Sequence, residues 1–181
     1  MRVITGKYKG RNLIAPKNVA RPTLDRMKET LFNIINDKLQ GASVLDLFAG
    51  SGQLAIECLS RGANRAILCD NSRDAHNAIK INFEKIGEKP EIMYCDFRDC
   101  LKRLNCQIDI VFVDPPYQSG FYTEVLSEID NRNILSNQGI VVCEHSTEID
   151  LPENVGNITC FDHRKIGTVK FSFYKRSELC G

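Results

Sequence analysis

The sequence predicts an α/β domain built on a mostly parallel sheet, with an antiparallel hairpin at its C-terminal end. Three observations carry this. Short apolar runs of strand type alternate with segments of helical spacing from residue 43 to residue 144. The first run, Ser43-Val44-Leu45, leads through Asp46-Leu47-Phe48-Ala49-Gly50-Ser51-Gly52 straight into a helical stretch, Gln53 to Ser60. The last two runs, Asn157 to Arg164 and Val169 to Arg176, are joined across Gly167 with no room for a helix, so they must pair antiparallel.

Residues 2–14 mix β-branched and basic residues around Gly6 and Gly10 and predict two short strands with a turn between them. Tyr8 lies between Lys7 and Lys9, so such a hairpin can set cations on phosphates and one ring on a base. The competing reading is an edge hairpin that lysines protect from aggregation. Pro16 to Pro22 is a connector, and the chain divides into a basic arm, 1–20, and a main domain, 21–181. Thr23 is placed to cap a helix running to about Leu39, with Leu24, Met27, Leu31, Ile34, Ile35 and Leu39 on one stripe. At its entrance, Arg21-Pro22-Thr23 and Arg26 converge beside the basic arm.

Beyond the glycine turn, Ala66 to Cys69 reads as a second strand ending at Asp70-Asn71, and Ser72 can cap a helix that Gly87 closes after Ile86. Glu91 to Cys95 is a third strand, which puts Asp96 and Phe97 at a carboxyl end, where open α/β sheets bind ligands. A helix to about Leu104, a strand from Ile108 to Val113, a helix from Phe121 to Asp130 and a strand from Gly139 to Glu144 complete the alternation.

A length of 181 residues suits one domain that needs no disulfide or metal to hold it. The eight cysteines include no C-x-x-C pair, and Cys69, Cys95 and Cys143 fall in strand-like runs, as small buried hydrophobes of a reducing compartment do. With no long apolar stretch and no signal peptide, a cytoplasmic protein without membrane contact is expected. A net charge of +1 conceals an asymmetry: residues 1–28 hold eight Lys or Arg against one acid, Asp25, and the remainder is net negative. A basic end on an acidic body suits contact with nucleic acid at that end, or is simply a solvated basic surface. His76, His145 and His163 show no ligand spacing with one another or with cysteines, so no metal is expected; Glu144 and His145 fall near the ligand edge without an assigned role.

The spacing Gly50-x-Gly52-x-x-Ala55 with a later Asp70 also fits a dinucleotide fingerprint. Asp46 argues against it, because a carboxylate beside a pyrophosphate repels it. An amino-acid ammonium is attracted instead. S-adenosylmethionine offers an ammonium for the acid, a carboxylate for the helix N–H groups and ribose hydroxyls for Asp70. The second chemical stretch is Asp114-Pro115-Pro116-Tyr117. Two prolines after a buried strand fix the backbone, holding the carbonyls and the Asp114 carboxylate as acceptors. A row of acceptors beside an aromatic face suits a planar exocyclic amine. Hydrogen bonds accepted from its hydrogens tilt the nitrogen lone pair toward an electrophilic methyl, and Tyr117 can hold the ring by stacking.

On these residues the chain resembles class I S-adenosylmethionine-dependent methyltransferases. It is similar in particular to the RsmD-like family of guanine-N2 methyltransferases acting on bacterial small-subunit ribosomal RNA. The resemblance runs through Arg2 to Arg11, Arg21 to Arg26, Glu29 to Asn33, Asp46 to Gly52, Glu57, Leu59 to Ala63 and Phe112 to Tyr117. It implies a seven-stranded Rossmann-like sheet with an N-terminal hairpin (Arg2, Lys7, Tyr8, Lys9, Arg11, with Arg26) on the RNA. A monomer is expected. The cofactor is expected on Arg21, Pro22, Thr23, the turn from Asp46 through Phe48, Ala49, Gly50 and Ser51 to Gly52, then Asp70, Asn71, Asp96, Phe97 and Asp114. Catalysis is expected at Asp114, Pro115, Pro116 and Tyr117, on a base unstacked from ribosomal RNA or a small-subunit particle. The alternatives are an adenine-N6 methyltransferase of DNA or another amine methyltransferase, a noncatalytic RNA-binding or assembly factor, and a nicotinamide-binding protein.

Overall fold

The computed structural model describes residues 1–15, 24–116 and 120–177. The Pro16 to Pro22 connector and the Thr23 cap lie outside them. Helix α1 (Leu24–Ile34) is shorter than its apolar stripe, which continues through a 3₁₀ turn, Asn36–Lys38, to buried Leu39. There follow β1 (Ser43–Asp46), α2 (Gln53–Ser60), β2 (Arg65–Asp70), α3 (Arg73–Ile86), β3 (Glu91–Tyr94), α4 (Phe97–Arg103), β4 (Ile108–Val113) and α5 (Tyr122–Asn131). The chain closes with β5 (Leu135–Ser146), β6 (Asn154–Val155), β7 (Ile158–Ile166) and β8 (Val169–Arg176).

These strands form one eight-stranded sheet in the order β3-β2-β1-β4-β5-β8-β7-β6. The first five are parallel, and β8, β7 and β6 add antiparallel, with Ile166 opposite Val169 across Gly167. The eighth strand is the two-residue β6, too short to give a periodic signal. Side chains alternate between two cores as strand geometry requires. Val44, Leu68, Ile110 and Phe112 face α1, α2 and α3, while Leu45, Ile67, Val111 and Val113 face α4 and α5. Ser72 caps α3 through Ala75 N–H, and Gly87 ends it in the left-handed conformation, as expected. Strand β5 begins earlier than its apolar run, at Leu135, which meets Ile108 just before a register irregularity.

The N-terminal segment forms one antiparallel bridge, Arg2 to Asn12, rather than two strands. Across it Val3 N–H donates to the Arg11 carbonyl, Gly10 N–H to the Val3 carbonyl and Leu13 N–H to the Met1 carbonyl, and the segment is docked on α2. The Glu57 carboxylate accepts from Ile4 N–H at 2.8 Å and Thr5 N–H at 3.1 Å, and the Ser60 carbonyl accepts from Lys7 N–H at 2.7 Å. Gly6 sits against that carbonyl with φ +87°, and a Cβ there would lie 1.8 Å from the Ser60 oxygen, so only glycine fits. Val3, Tyr8 and Leu13 join the core. Strand β7 carries a bulge between Cys160 and Asp162, which turns Cys160 and His163 to the same side.

Candidate active site

In the sheet order, β1 has β2 on one side and β4 on the other, so connections leave the middle of the sheet in opposite directions. Such a switch point opens a crevice at the carboxyl ends of the strands. A cleft of about 440 Å³ lies there. Four strand ends deliver a carboxylate each: Asp46 from β1, Asp70 from β2, Asp96 after β3 and Asp114 after β4, with Glu144 of β5 at the far side.

The floor is the glycine turn. Phe48, Ala49, Gly50 and Ser51 line the cleft. Gly50 has φ +52° and open space where a Cβ would stand. Its N–H is not left for a ligand, because Asp70 Oδ2 accepts it at 2.9 Å. The other Asp70 oxygen accepts from Ser72 N–H at 2.8 Å, so this carboxylate is fixed in orientation. Gly52 does not line the cleft; it faces the core, where a Cβ would come 2.9 Å from Leu68 Cδ2. Its expected role of letting a ligand approach is therefore replaced by close packing of turn and helix. Gln53 and Leu54, in the first turn of α2, do line the cleft.

Asp46 is 2% exposed. Burial, with the charges of Asp114 and Asp70 added, pushes its carboxyl up to about 8 against a bond from Phe48 N–H. Asp96 caps α4 by accepting from Arg98 N–H at 2.9 Å, and Arg98 pairs with it at 3.2 Å. The guanidinium of Arg98 lies 4.4 Å from the Phe97 ring and 5.1 Å from that of Phe121 and reaches Glu124, tying α4 to α5. Phe97 packs between Phe48 and Phe121, at 5.6 and 5.3 Å, and these three rings form one wall. Asn71, Pro115 and Pro116 also line the cleft. Tyr117, Arg21, Pro22 and Thr23 lie outside the described residues.

Several participants carried no signal in the sequence. Lys28, counted there with the basic segment, is 4% exposed and lines the cleft. Its Nζ donates to the Arg2 carbonyl at 2.8 Å and pairs with Asp25 at 3.5 Å, and burial lowers its pKa. Met27 and Leu31, read as core, also reach the cleft, as does Met1. Asn82 donates to Ser51 and Ile14 carbonyls and accepts from Ile14 N–H, so it couples the N-terminal segment to the glycine turn. His145 does not line the cleft; it is buried between Ser146 and Ser172.

Of the proposed RNA contacts, Lys9, Arg11 and Arg26 are exposed. Arg2 is exposed and paired with Asp25, and Lys7 with Glu88. Tyr8 is a correction. Its ring is buried at 6% exposure, its N–H donates to Ser60 Oγ and its hydroxyl is bonded to Glu88, so it offers no open face to a base.

Comparison with known proteins agrees with this architecture. Residues 1–175 match the family model described as "Conserved hypothetical protein 95". The chain is 35% identical to "Putative rRNA methyltransferase YlbH" of Bacillus subtilis, over 97% of this chain and 99% of that one. It is 31% identical to "Ribosomal RNA small subunit methyltransferase D" of Escherichia coli, over 97% and 90% of the two chains. The solved structure of "Putative methyltransferase yhhF from Escherichia coli" superposes with a TM-score of 0.88 at 31% identity, covering 98% of each chain. The crystal structure of "SMU.776, a putative methyltransferase complexed with SAH" shares the fold at a TM-score of 0.64 and 16% identity, covering 80% of this chain and 49% of that one. The sheet, the switch-point cleft and these matches together place the chain in the conserved hypothetical protein 95 family, that of the small-subunit ribosomal RNA methyltransferase D proteins.

Proposed function

We propose that this chain transfers a methyl group from S-adenosylmethionine to the exocyclic N2 amine of a guanine in small-subunit ribosomal RNA. The observation that carries the reading is the convergence of Asp46 and Asp114-Pro115-Pro116, from neighbouring strands, on one cleft with the glycine turn. The names of the Bacillus and Escherichia relatives support an RNA substrate. The choice of guanine N2 rests on the resemblance and on chemistry, since guanine presents donors at N1 and N2 that an acceptor-only carboxylate serves.

The residues fit the cofactor. The charges of Asp114 and Asp70 help raise the Asp46 carboxyl to about 8, so the cleft favours a ligand that brings positive charge. A pyrophosphate would add to the repulsion. When bound, S-adenosylmethionine supplies an electrophilic methyl on a positively charged sulfur. Asp46 would hold the ammonium, the first turn of α2 the carboxylate, Asp70 the ribose hydroxyls, and Asp96 with Phe97 the adenine. On the substrate side, Asp114 accepts hydrogens of the base amine and aligns its lone pair. The sequence assigns Tyr117 to stacking on the base, and the three phenylalanine rings close one side of the cleft.

Calorimetry and turnover test this. Asp114→Asn is expected to keep S-adenosylmethionine binding while lowering methyl transfer by about 100-fold. Unchanged transfer would remove Asp114 from the chemistry, and binding of NAD in place of S-adenosylmethionine would overturn the cofactor.

A further inference from the structure

On the α5 side of the sheet, apart from the cleft, three ligand-bearing side chains meet. Cys160 and His163 come from β7 and Glu153 from the segment before β6, and one ligand atom of each lies within 4.8 Å of the others. In a regular strand, residues three apart point to opposite faces. Here the bulge between Cys160 and Asp162 restores them to one face. This corrects the reading that His163 has no ligand spacing with a cysteine.

The hydrogen bonds around His163 determine which of its nitrogens is bare. His145 Nδ1 lies 3.0 Å from the Ser146 carbonyl, which can only accept, so Nδ1 carries the proton. Burial keeps His145 on the neutral side, so its Nε2 must accept, and Ser172 Oγ, 2.8 Å away, must donate to it. With its own proton committed, Ser172 Oγ accepts from His163 Nδ1–H at 3.1 Å. That leaves the lone pair of His163 Nε2 directed at Glu153 Oε1, 3.3 Å away, with Cys160 Sγ at 3.7 Å from the same nitrogen. A lone pair facing a carboxylate is repulsive unless a proton or a metal ion stands between them.

We propose that Glu153, Cys160 and His163 bind one divalent cation of the zinc class, through a carboxylate oxygen, Sγ and Nε2. Tetrahedral zinc with its usual bond lengths separates nitrogen from sulfur by about 3.6 Å and nitrogen from oxygen by about 3.4 Å. The nitrogen–oxygen separation of 3.3 Å matches. Cys160 Sγ, 3.7 Å from Nε2 and 3.6 Å from Nδ1, lies beside the ring, and a turn about its own χ1 brings it to the ion. Thiolate and carboxylate together neutralise a divalent charge, and the thiolate selects a borderline metal over calcium or magnesium. Ser172 fixes the histidine tautomer from behind, as the outer partner of a ligating imidazole does. Glu153 is exposed while Cys160 and His163 are half-buried, so the site is open on one side, with a fourth position for water. The ion would tie the segment before β6 to the bulge of β7.

The test is titration of the full, untagged chain, first stripped with a chelator, with Co²⁺ and then Zn²⁺. One equivalent of Co²⁺ is expected to give the visible absorption of a tetrahedral site and a near-ultraviolet thiolate band, both abolished by Zn²⁺. Cys160→Ser should lose the thiolate band, Ser172→Ala should weaken binding by about 10- to 100-fold, and Cys106→Ser should change nothing. In the unaltered chain, proton NMR should show the His163 ring resonances shifting with one equivalent of Zn²⁺. Absence of stoichiometric binding, a band that survives Cys160→Ser, or His163 ring resonances unmoved by Zn²⁺ would overturn the proposal.

Discussion

Asp46 and Asp114 stand at the carboxyl ends of adjacent parallel strands, Asp46 in register with Phe112, and the charge of Asp114 helps hold the buried Asp46 carboxyl near 8. Two acids are thus set side by side where an ordinary core would have none. The fold carries this arrangement as a cost until a positive ligand arrives.

That cost has a definite pH signature. The Asp46 carboxyl is raised from 3.8 to about 8 on folding, so between those values the folded chain keeps a proton that the unfolded chain has lost. The stabilisation from Asp46 is therefore complete below pH 4 and disappears as pH rises through 8. Thermal unfolding of the ligand-free protein should show stability falling between pH 5 and pH 8, by at most about 1.4 kcal/mol per unit from this group. Asp46→Asn should flatten that slope. An unchanged slope in the variant would assign the effect elsewhere.

The N-terminal segment is held by a buried ion pair. Glu57 is 1% exposed, bonded to Ile4 and Thr5 N–H groups, and paired with Arg61 at 2.9 Å. Glu57→Gln removes the charge and leaves Arg61 buried without its partner, which should destabilise by about 3 kcal/mol in denaturant unfolding. Amide exchange at Ile4 and Thr5 should accelerate more than exchange in β4.

Gly6 and Gly10 separate backbone strain from contact. Both have positive φ, +87° and +80°, but only at Gly6 does a Cβ collide, with the Ser60 carbonyl. Gly10→Ala should cost about 1 kcal/mol, the left-handed conformation alone. Gly6→Ala should cost about 3 kcal/mol or detach the segment from α2. Equal costs for the two would contradict the docking described.

Salt dependence reads the basic surface. Lys9 and Arg11 are exposed, whereas Tyr8 is in the core. Replacing Lys9 and Arg11 together with Ala should weaken RNA binding and reduce the slope of log affinity against log salt by about two. Tyr8→Phe should leave RNA affinity unchanged and lower stability by about 1 kcal/mol through loss of the Glu88 bond.

Much of this is legible in the sequence. Strand-end acids such as Asp70 and Asp96, and the cap at Ser72, follow from local pattern, because a parallel sheet puts every strand's carboxyl end on one edge. Properties set by packing between distant segments were not legible. Nothing local distinguishes Lys28 from Lys9, yet docking of the N-terminal segment buries the one and exposes the other. Tyr8 reads as a stacking ring until α2 and Glu88 are brought against it. The role of Gly52 belongs to Leu68, sixteen residues on, and the proximity of Cys160 to His163 depends on one extra residue in β7.

The central claim is most directly tested by incubating the protein with S-adenosylmethionine labelled in its methyl group and with small-subunit RNA, free and assembled, from cells lacking this gene. Digestion to nucleosides is expected to place the label in N2-methylguanosine, with Asp114→Asn nearly silent. Label in N6-methyladenosine, or none in either RNA despite measurable S-adenosylmethionine binding, would contradict the account.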